Sequence, residues 1–217
     1  MKNLMRKEIK LSASPISFLF LAFSLMTLIP GYPILVGAFF VCFGVFQSFQ
    51  NGCLNNDILY TVLLPIKKTD AVKAKYEFTM MIQMISFFVM VILTILRMTV
   101  LADAAPYVHN AMMNANLFFL AGNLLVFALF NWFFVGGFFK TAYKYGQPFL
   151  LFSVVSFLFI MLAETLHHIP GLEFLNNTHA MGDGRQWMIF GIAIIVYFSA
   201  SFLSCRISVK RFEAVDM

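Results

Sequence analysis

The sequence predicts an all-α integral membrane protein with six transmembrane helices, both termini cytoplasmic and a short amphipathic helix between helices two and three. Three observations carry that prediction. The 217 residues are 61% hydrophobic and only 12% charged, with 28 Phe, which is more apolar surface than a soluble fold of this length can hide. Six largely uncharged stretches recur along the chain, at about 15–29, 33–50, 77–98, 115–139, 148–166 and 187–206. Each approaches the roughly 20 apolar residues that a helix needs to cross the hydrocarbon core. Finally, all but Arg97 and Arg185 of the 15 Lys and Arg fall in the termini or in alternate connections. That asymmetry puts those segments on the cytoplasmic side.

Taken in order, residues 1–14 read as an interfacial helix, with Leu4, Met5, Ile9 and Leu11 on its apolar side and Glu8 interrupting the stripe. The 15–29 stretch is short and ends in Pro30-Gly31-Tyr32-Pro33, a helix-breaking turn. Residues 16–49 therefore read either as two crossings or as a re-entrant hairpin, because both keep the same charges inside. In the second stretch Gly44, Ser48 and Gly52 recur every four residues and clear one helical face for close packing. The whole chain, 1–217, reads as a single transmembrane domain.

Polar groups within the spans are few. Arg97 and Glu164 stand near the outer ends of the third and fifth spans and are expected either to pair with each other or to reach the headgroups. Asn123 and Asn131 share roughly one side of the fourth span, where buried amides bind helices together. The outer loop, 167–185, collects His167, His168, His179, Glu173 and Asp183, but not at the spacing of a zinc site, so no metal is expected there. A short amphipathic helix is expected around 171–178 instead. Cys42, Cys53 and Cys205 read as free thiols.

The motifs that are missing exclude several function classes. There is no GxxxxGK[ST] phosphate loop, no GxSxG, no catalytic carboxylate pair and no aspartate in any span. Nucleic acid is not an expected partner despite the net charge of +5, because every basic cluster flanks an apolar span, where attraction to anionic lipid explains it.

The most informative stretch is the cationic insert 55–76, NNDILYTVLLPIKKTDAVKAKY. Asn55 and Asp57 are suited to start a helix; Ile58, Leu59, Val62 and Leu63 give it one apolar face; Pro65 ends it; and Asp70 is placed to begin the next helix. An amphipathic helix of this kind rests on lipid or docks on a protein.

Leu64, Pro65, Lys67, Lys68, Val72, Lys73 and Lys75, set between two spans, resemble the corresponding loop of permease subunits of type 2 ATP-binding-cassette (ABC-2) exporters. The nearest likeness is to a small bacterial group that includes phenol-soluble-modulin exporters. Many of those relatives carry a glutamate before the short helix, where this chain has Asn55, Asn56 and Asp57. The resemblance implies that Asp57, Ile58, Leu59, Tyr60, Val62, Leu63, Leu64, Pro65, Lys67 and Lys68 couple the permease to a separate cytoplasmic ATPase. It implies ATP and Mg on that partner and no cofactor in this chain, a second permease copy or paralogue, and a bacterial cell membrane. With 28 Phe and 14 Met offering adaptable apolar surface, the cargo expected to move outward is a hydrophobic or amphipathic substrate, a peptide as first choice and a lipid or drug as second. The alternative is a non-transporting membrane scaffold or immunity-type protein whose insert merely lies on lipid.

Overall fold

The computed structural model describes residues 2–214 apart from 14, 64, 109 and 179–183; the side chains of residues 2, 3, 11, 12, 59 and 62 also stand outside the description. Among the described residues the chain is helical and contains no strand.

Helix α1 (Lys2–Lys7) opens into one wide turn over Glu8–Ser12. Helix α2 (Pro15–Leu19) begins on a proline, whose missing N–H costs nothing at the first helical position, and winds on through Phe20–Leu28 as a 3-10 helix. At about 2.0 Å rise per residue in the 3-10 part and about 1.5 Å in the α part, these 14 residues extend about 25 Å, against about 21 Å for an α-helix. Gly31, at φ +69°, makes the turn that returns the chain into α3 (Val36–Leu54).

Asn56, at φ +53°, is left-handed, a conformation that asparagine tolerates, and it redirects the chain into α4 (Asp57–Leu63). Helix α5 (Lys68–Thr99) starts two residues before the expected Asp70, which sits in its first turn, where a carboxylate favours the positive end of the helix dipole. A short α6 (Ala105–Val108) follows. Helix α7 (Leu117–Leu129) is capped by the Asn116 side chain, which accepts the Phe119 N–H at 2.9 Å. It widens over Phe130–Val135 and closes as α8 (Gly136–Phe138). Helix α9 (Gly146–Leu166), a single 3-10 turn at Glu173–Asn176 and α10 (Gly184–Glu213) complete the order.

Four of these helical stretches are long and apolar enough to cross a membrane: Lys68–Thr99, Leu117–Phe138, Gly146–Leu166 and Gly184–Glu213. A fifth is added if Leu4–Lys10 and Pro15–Leu28, which meet at 86°, form one broken span. Helix α3 falls outside this set because Gln47, Gln50 and Asn51 lower the apolar character of its second half. It is buried along most of its length among α2, α5, α7 and α9, so its glycines and polar residues face protein. The lipid-type surface lies elsewhere, on Phe88 and Ile92 of α5, Leu150, Leu158 and Met161 of α9, and Ile195 and Phe202 of α10.

Helices α2 and α3 pack antiparallel: Phe20 lies against Phe43 and Phe23 stacks on Phe40. Ser17 Oγ donates to the Gly44 carbonyl and lies 2.7 Å from Ser48 Oγ. The expected small-residue face is thus a close helix contact. Much of the Phe content forms an aromatic seam rather than lipid surface: Phe39 stacks on Phe152, Phe46 on Phe149, and Phe49 meets Phe134 and Phe138 edge-on.

A methyl group added at Gly44 would lie 2.5 Å from Phe20 Cβ, whereas nothing lies within 4 Å of one added at Gly191. We expect Gly44→Ala to cost about 1–3 kcal/mol through overpacking and Gly191→Ala to leave stability unchanged or slightly raised, both read from thermal unfolding in detergent.

Candidate functional site

At the basic end of the bundle, four charges close into a ring. Lys7 Nζ lies 2.8 Å from Glu8 Oε1 and 2.7 Å from Asp57 Oδ1; Lys75 Nζ lies 2.5 Å from Glu8 Oε2 and 3.0 Å from Asp57 Oδ2. Each cation touches both acids, so the ring carries no net charge. Glu8 and Lys75 are buried, at 2% and 5% exposure. Lys7 Nζ also donates to Thr61 Oγ1 at 2.8 Å, and that hydroxyl donates to the Asp57 carbonyl at 2.7 Å.

The local folds explain how the groups meet. The wide turn that starts at Glu8 turns its carboxylate inward, and the left-handed Asn56 brings Asp57 back over the foot of α3. Gly52 leaves room there: its added methyl would sit 3.6 Å from Lys75 Nζ and 3.7 Å from Asp57 Oδ2. Lys75 also stands 5.6 Å from the centre of the Phe49 ring, an aromatic face favourable to a cation. One ring therefore ties the N-terminal segment, α4 and the base of α5 together.

The tether orients α4. Thr61 is buried and Ile58 packs against the core, while Tyr60 and Leu63 are exposed at 64% and 74%, beside Leu54 at 70%. The apolar surface presented outward is Leu54, Tyr60 and Leu63; Ile58 belongs to the inner face. Pro65 and Lys67 are exposed, and Lys68 is half-buried with its Nζ 5.8 Å from the Phe212 ring centre. Leu64 and the side chains of Leu59 and Val62 lie outside the described residues.

The residues expected to matter within the spans divide differently. Arg97 and Glu164 do not pair. Arg97 donates to the Thr27 carbonyl at 2.8 Å and to Asn114 Oδ1 at 3.0 Å, and its guanidinium stacks 4.2 Å from the Tyr107 ring centre. Glu164 Oε2 instead accepts the Met113 N–H at 2.9 Å. The connection before α7 folds back over this end of the bundle and supplies neutral partners to both. It is itself held by the loop after α9, where the Asn114 N–H donates to Asn176 Oδ1 at 2.7 Å and Asn116 Nδ2 to the Leu175 carbonyl at 2.7 Å. The helix expected around 171–178 is that single 3-10 turn, and its Phe174 lies under Arg185. His179 and Asp183 lie outside the described residues.

Asn131 binds helices together; Asn123 does not. Asn131 and Gln83 exchange reciprocal amide bonds at 3.0 Å, and the pair is extended by Ser201 and Tyr197 of α10. The Asn131 carbonyl, which also accepts the Gly136 N–H across the wide turn, accepts from Ser204 at 2.8 Å, and Tyr76 OH sits between Ser204 and Ser208 at 2.7 and 2.9 Å. This buried polar seam joins α5, α7 and α10, and its members Gln83, Tyr76 and Tyr197 were not singled out from sequence. Asn123 Nδ2 instead donates to Phe119 O within its own helix.

Removing one member of a buried ion pair leaves an uncompensated charge, at about 3–5 kcal/mol. We expect Glu8→Gln and Lys75→Met each to lower stability by that amount, and the double variant by less than the sum, in unfolding measured in detergent. Burial alone would raise the Asp57 pKa, but Lys75 and Lys7 outweigh it and hold the carboxyl below its ordinary 3.8. A depressed folded-state pKa contributes stability that is complete above the ordinary value and lost as pH falls through the folded one. Hydrogen exchange of α4 amides should therefore be flat with pH, after correction for intrinsic rates, down to about 4, and accelerate below it.

A family model described as ABC-2 family transporter protein matches residues 3–213. No curated protein and no solved structure matches the chain. The family match runs from α1 through the last turn of α10, and so takes in every member of the ring, α4 and the apolar bundle. This multi-pass membrane chain belongs to the ABC-2 transporter family, whose members are components of membrane transport.

Proposed function

We propose that the chain is the transmembrane subunit of an ATP-driven exporter, powered by a separate cytoplasmic ATPase that seats on α4. One observation carries the reading: α4 is fixed on its inner side by the ion ring while Tyr60 and Leu63 stay exposed on its other side, beside Leu54 at the end of α3. A short helix that is rigidly tied and apolar outward transmits a push; one that floats on lipid needs no such tether. ATP and Mg belong to the partner, and this chain supplies the lever.

The proposed topology has six crossings with both termini cytoplasmic. The 86° bend between Leu4–Lys10 and Pro15–Leu28 suits a surface helix leading into a first crossing. The extended winding of α2 supplies much of the length that its residue count lacks, and α3, at 19 residues, reaches about 28 Å. Two permeases, identical or paralogous, would combine with two ATPases in a bacterial cell membrane. Closure of the ATPases against α4 would then rock α5, which shares Lys75 with the ring, against the rest of the bundle. The cargo we favour is an amphipathic or hydrophobic peptide, consistent with the scarcity of charge on the spans.

The test is recovery from native membranes. The full chain should co-purify with an ATPase, and Tyr60→Asp with Leu63→Asp should abolish recovery while leaving thermal stability within about 0.5 kcal/mol, since both side chains are exposed. Charge reversal at Lys67 and Lys68 should weaken transport-coupled hydrolysis. Recovery of no ATPase by the unmodified chain would favour the scaffold reading.

A further inference from the structure

Away from the ion ring, the basic end holds a second charged feature that coupling does not use. A cleft of about 380 Å³ opens where α8, the connection to α9 and the end of α10 meet. Lys140, Lys144 and Arg211 line it, and no carboxylate does. Among the described residues none of the three has an acidic partner. Three uncompensated cations around one concavity focus a positive potential on it.

The other wall is apolar. Trp132 and Leu151 line the cleft and are exposed at 42% and 50%. Leu151 continues into the row of Leu150, Val154 and Leu158 on α9, the surface with the composition of a lipid contact. Its base is set by a close approach of α8 and α9, where a methyl added at Gly137 would meet Pro148 Cβ at 2.9 Å. Thr141 and Gln147 add polar groups at the rim. Arg211 is anchored from within by donating to the Gly136 carbonyl at 2.9 Å, so it is the fixed cation of the three.

We propose that this cleft binds an anionic glycerophospholipid, with the phosphate among Lys140, Lys144 and Arg211 and an acyl chain along Leu151 and the α9 surface. A soluble anion would find the charges but has no use for the continuous apolar wall. A zwitterionic lipid would fill the wall but neutralise fewer of the cations. Trp132 stands at the join between the two, where an indole ring favours the membrane interface.

The chain has two Trp residues, and they serve as separate reporters: Trp132 lines the cleft, while Trp187 stands at the start of α10, at the opposite end of that helix from Arg211. The full chain, as Trp187→Phe, is reconstituted in phosphatidylcholine vesicles containing a small fraction of brominated lipid, either phosphatidylglycerol or phosphatidylcholine. Brominated phosphatidylglycerol should quench Trp132 more strongly at equal mole fraction, whereas Trp187, read in Trp132→Phe, should show no headgroup preference. Lys140→Gln with Lys144→Gln keeps the Arg211–Gly136 bond and should reduce the enrichment by about fivefold for each lysine removed. Equal quenching by the two lipids, or a preference that survives the double substitution, would overturn the proposal. So would loss of the preference in millimolar inorganic phosphate at constant ionic strength, which would identify a soluble-anion site. Persistence of the preference in phosphate supports the lipid.

Discussion

Two acids and two lysines, shared pairwise in a closed ring, are the constraint on which the basic end of the molecule depends. Burial of ions is costly, and a pair of this kind adds little net stability compared with well-packed apolar side chains. Its effect is positional. Because Lys7 and Lys75 each contact both Glu8 and Asp57, none of the three segments can shift alone without stranding a charge. Helix α4, only seven residues long, would be marginal in isolation and is held by its first residue and by Thr61.

The bundle above it is assembled by two further devices. Close approach at Gly44 and the Ser17–Ser48 contact hold α2 to α3, while phenylalanines hold α3 to α9 by stacking and to the wide turn after α7 edge-on. The seam around Gln83 and Asn131 then fastens α5 and α7 to α10. In an apolar surrounding, helices gain little by hiding grease from grease, so shape and internal hydrogen bonds carry the specificity. The wide turn at Phe130–Val135 belongs to this scheme: its Asn131 carbonyl accepts both the Gly136 N–H and the Ser204 hydroxyl.

Much of this was legible in the order of residues, and the exceptions have physical causes. Apolar runs and lysine placement pointed to a helical membrane bundle, and Asn55-Asn56-Asp57 with Pro65 outlined α4 closely. On a helical wheel Glu8 is only a flaw in an amphipathic stripe, because the wheel assigns no value to a partner far along the chain. The clue was its rarity: Glu8 and Asp57 are the only carboxylates before residue 70. Depth alone offers Arg97 and Glu164 each other or the headgroups as partners, and leaves out the connection that folds back and offers a backbone amide and an asparagine side chain. Gln83 and Tyr197 drew no notice because their role depends on which faces of three separate helices meet.

In the proposed topology, the 3-10 winding of α2 would change how the thickness of a bilayer is matched. Any ruler that counts residues assumes a constant pitch, and by that ruler Pro15–Leu28 is too short to stand as a crossing by itself. Measured in ångströms the same stretch gains about 4 Å. In the six-crossing topology proposed above, hydrophobic thickness would thus be met by stretching the coil as well as by adding residues, a difference that a scan of composition cannot detect.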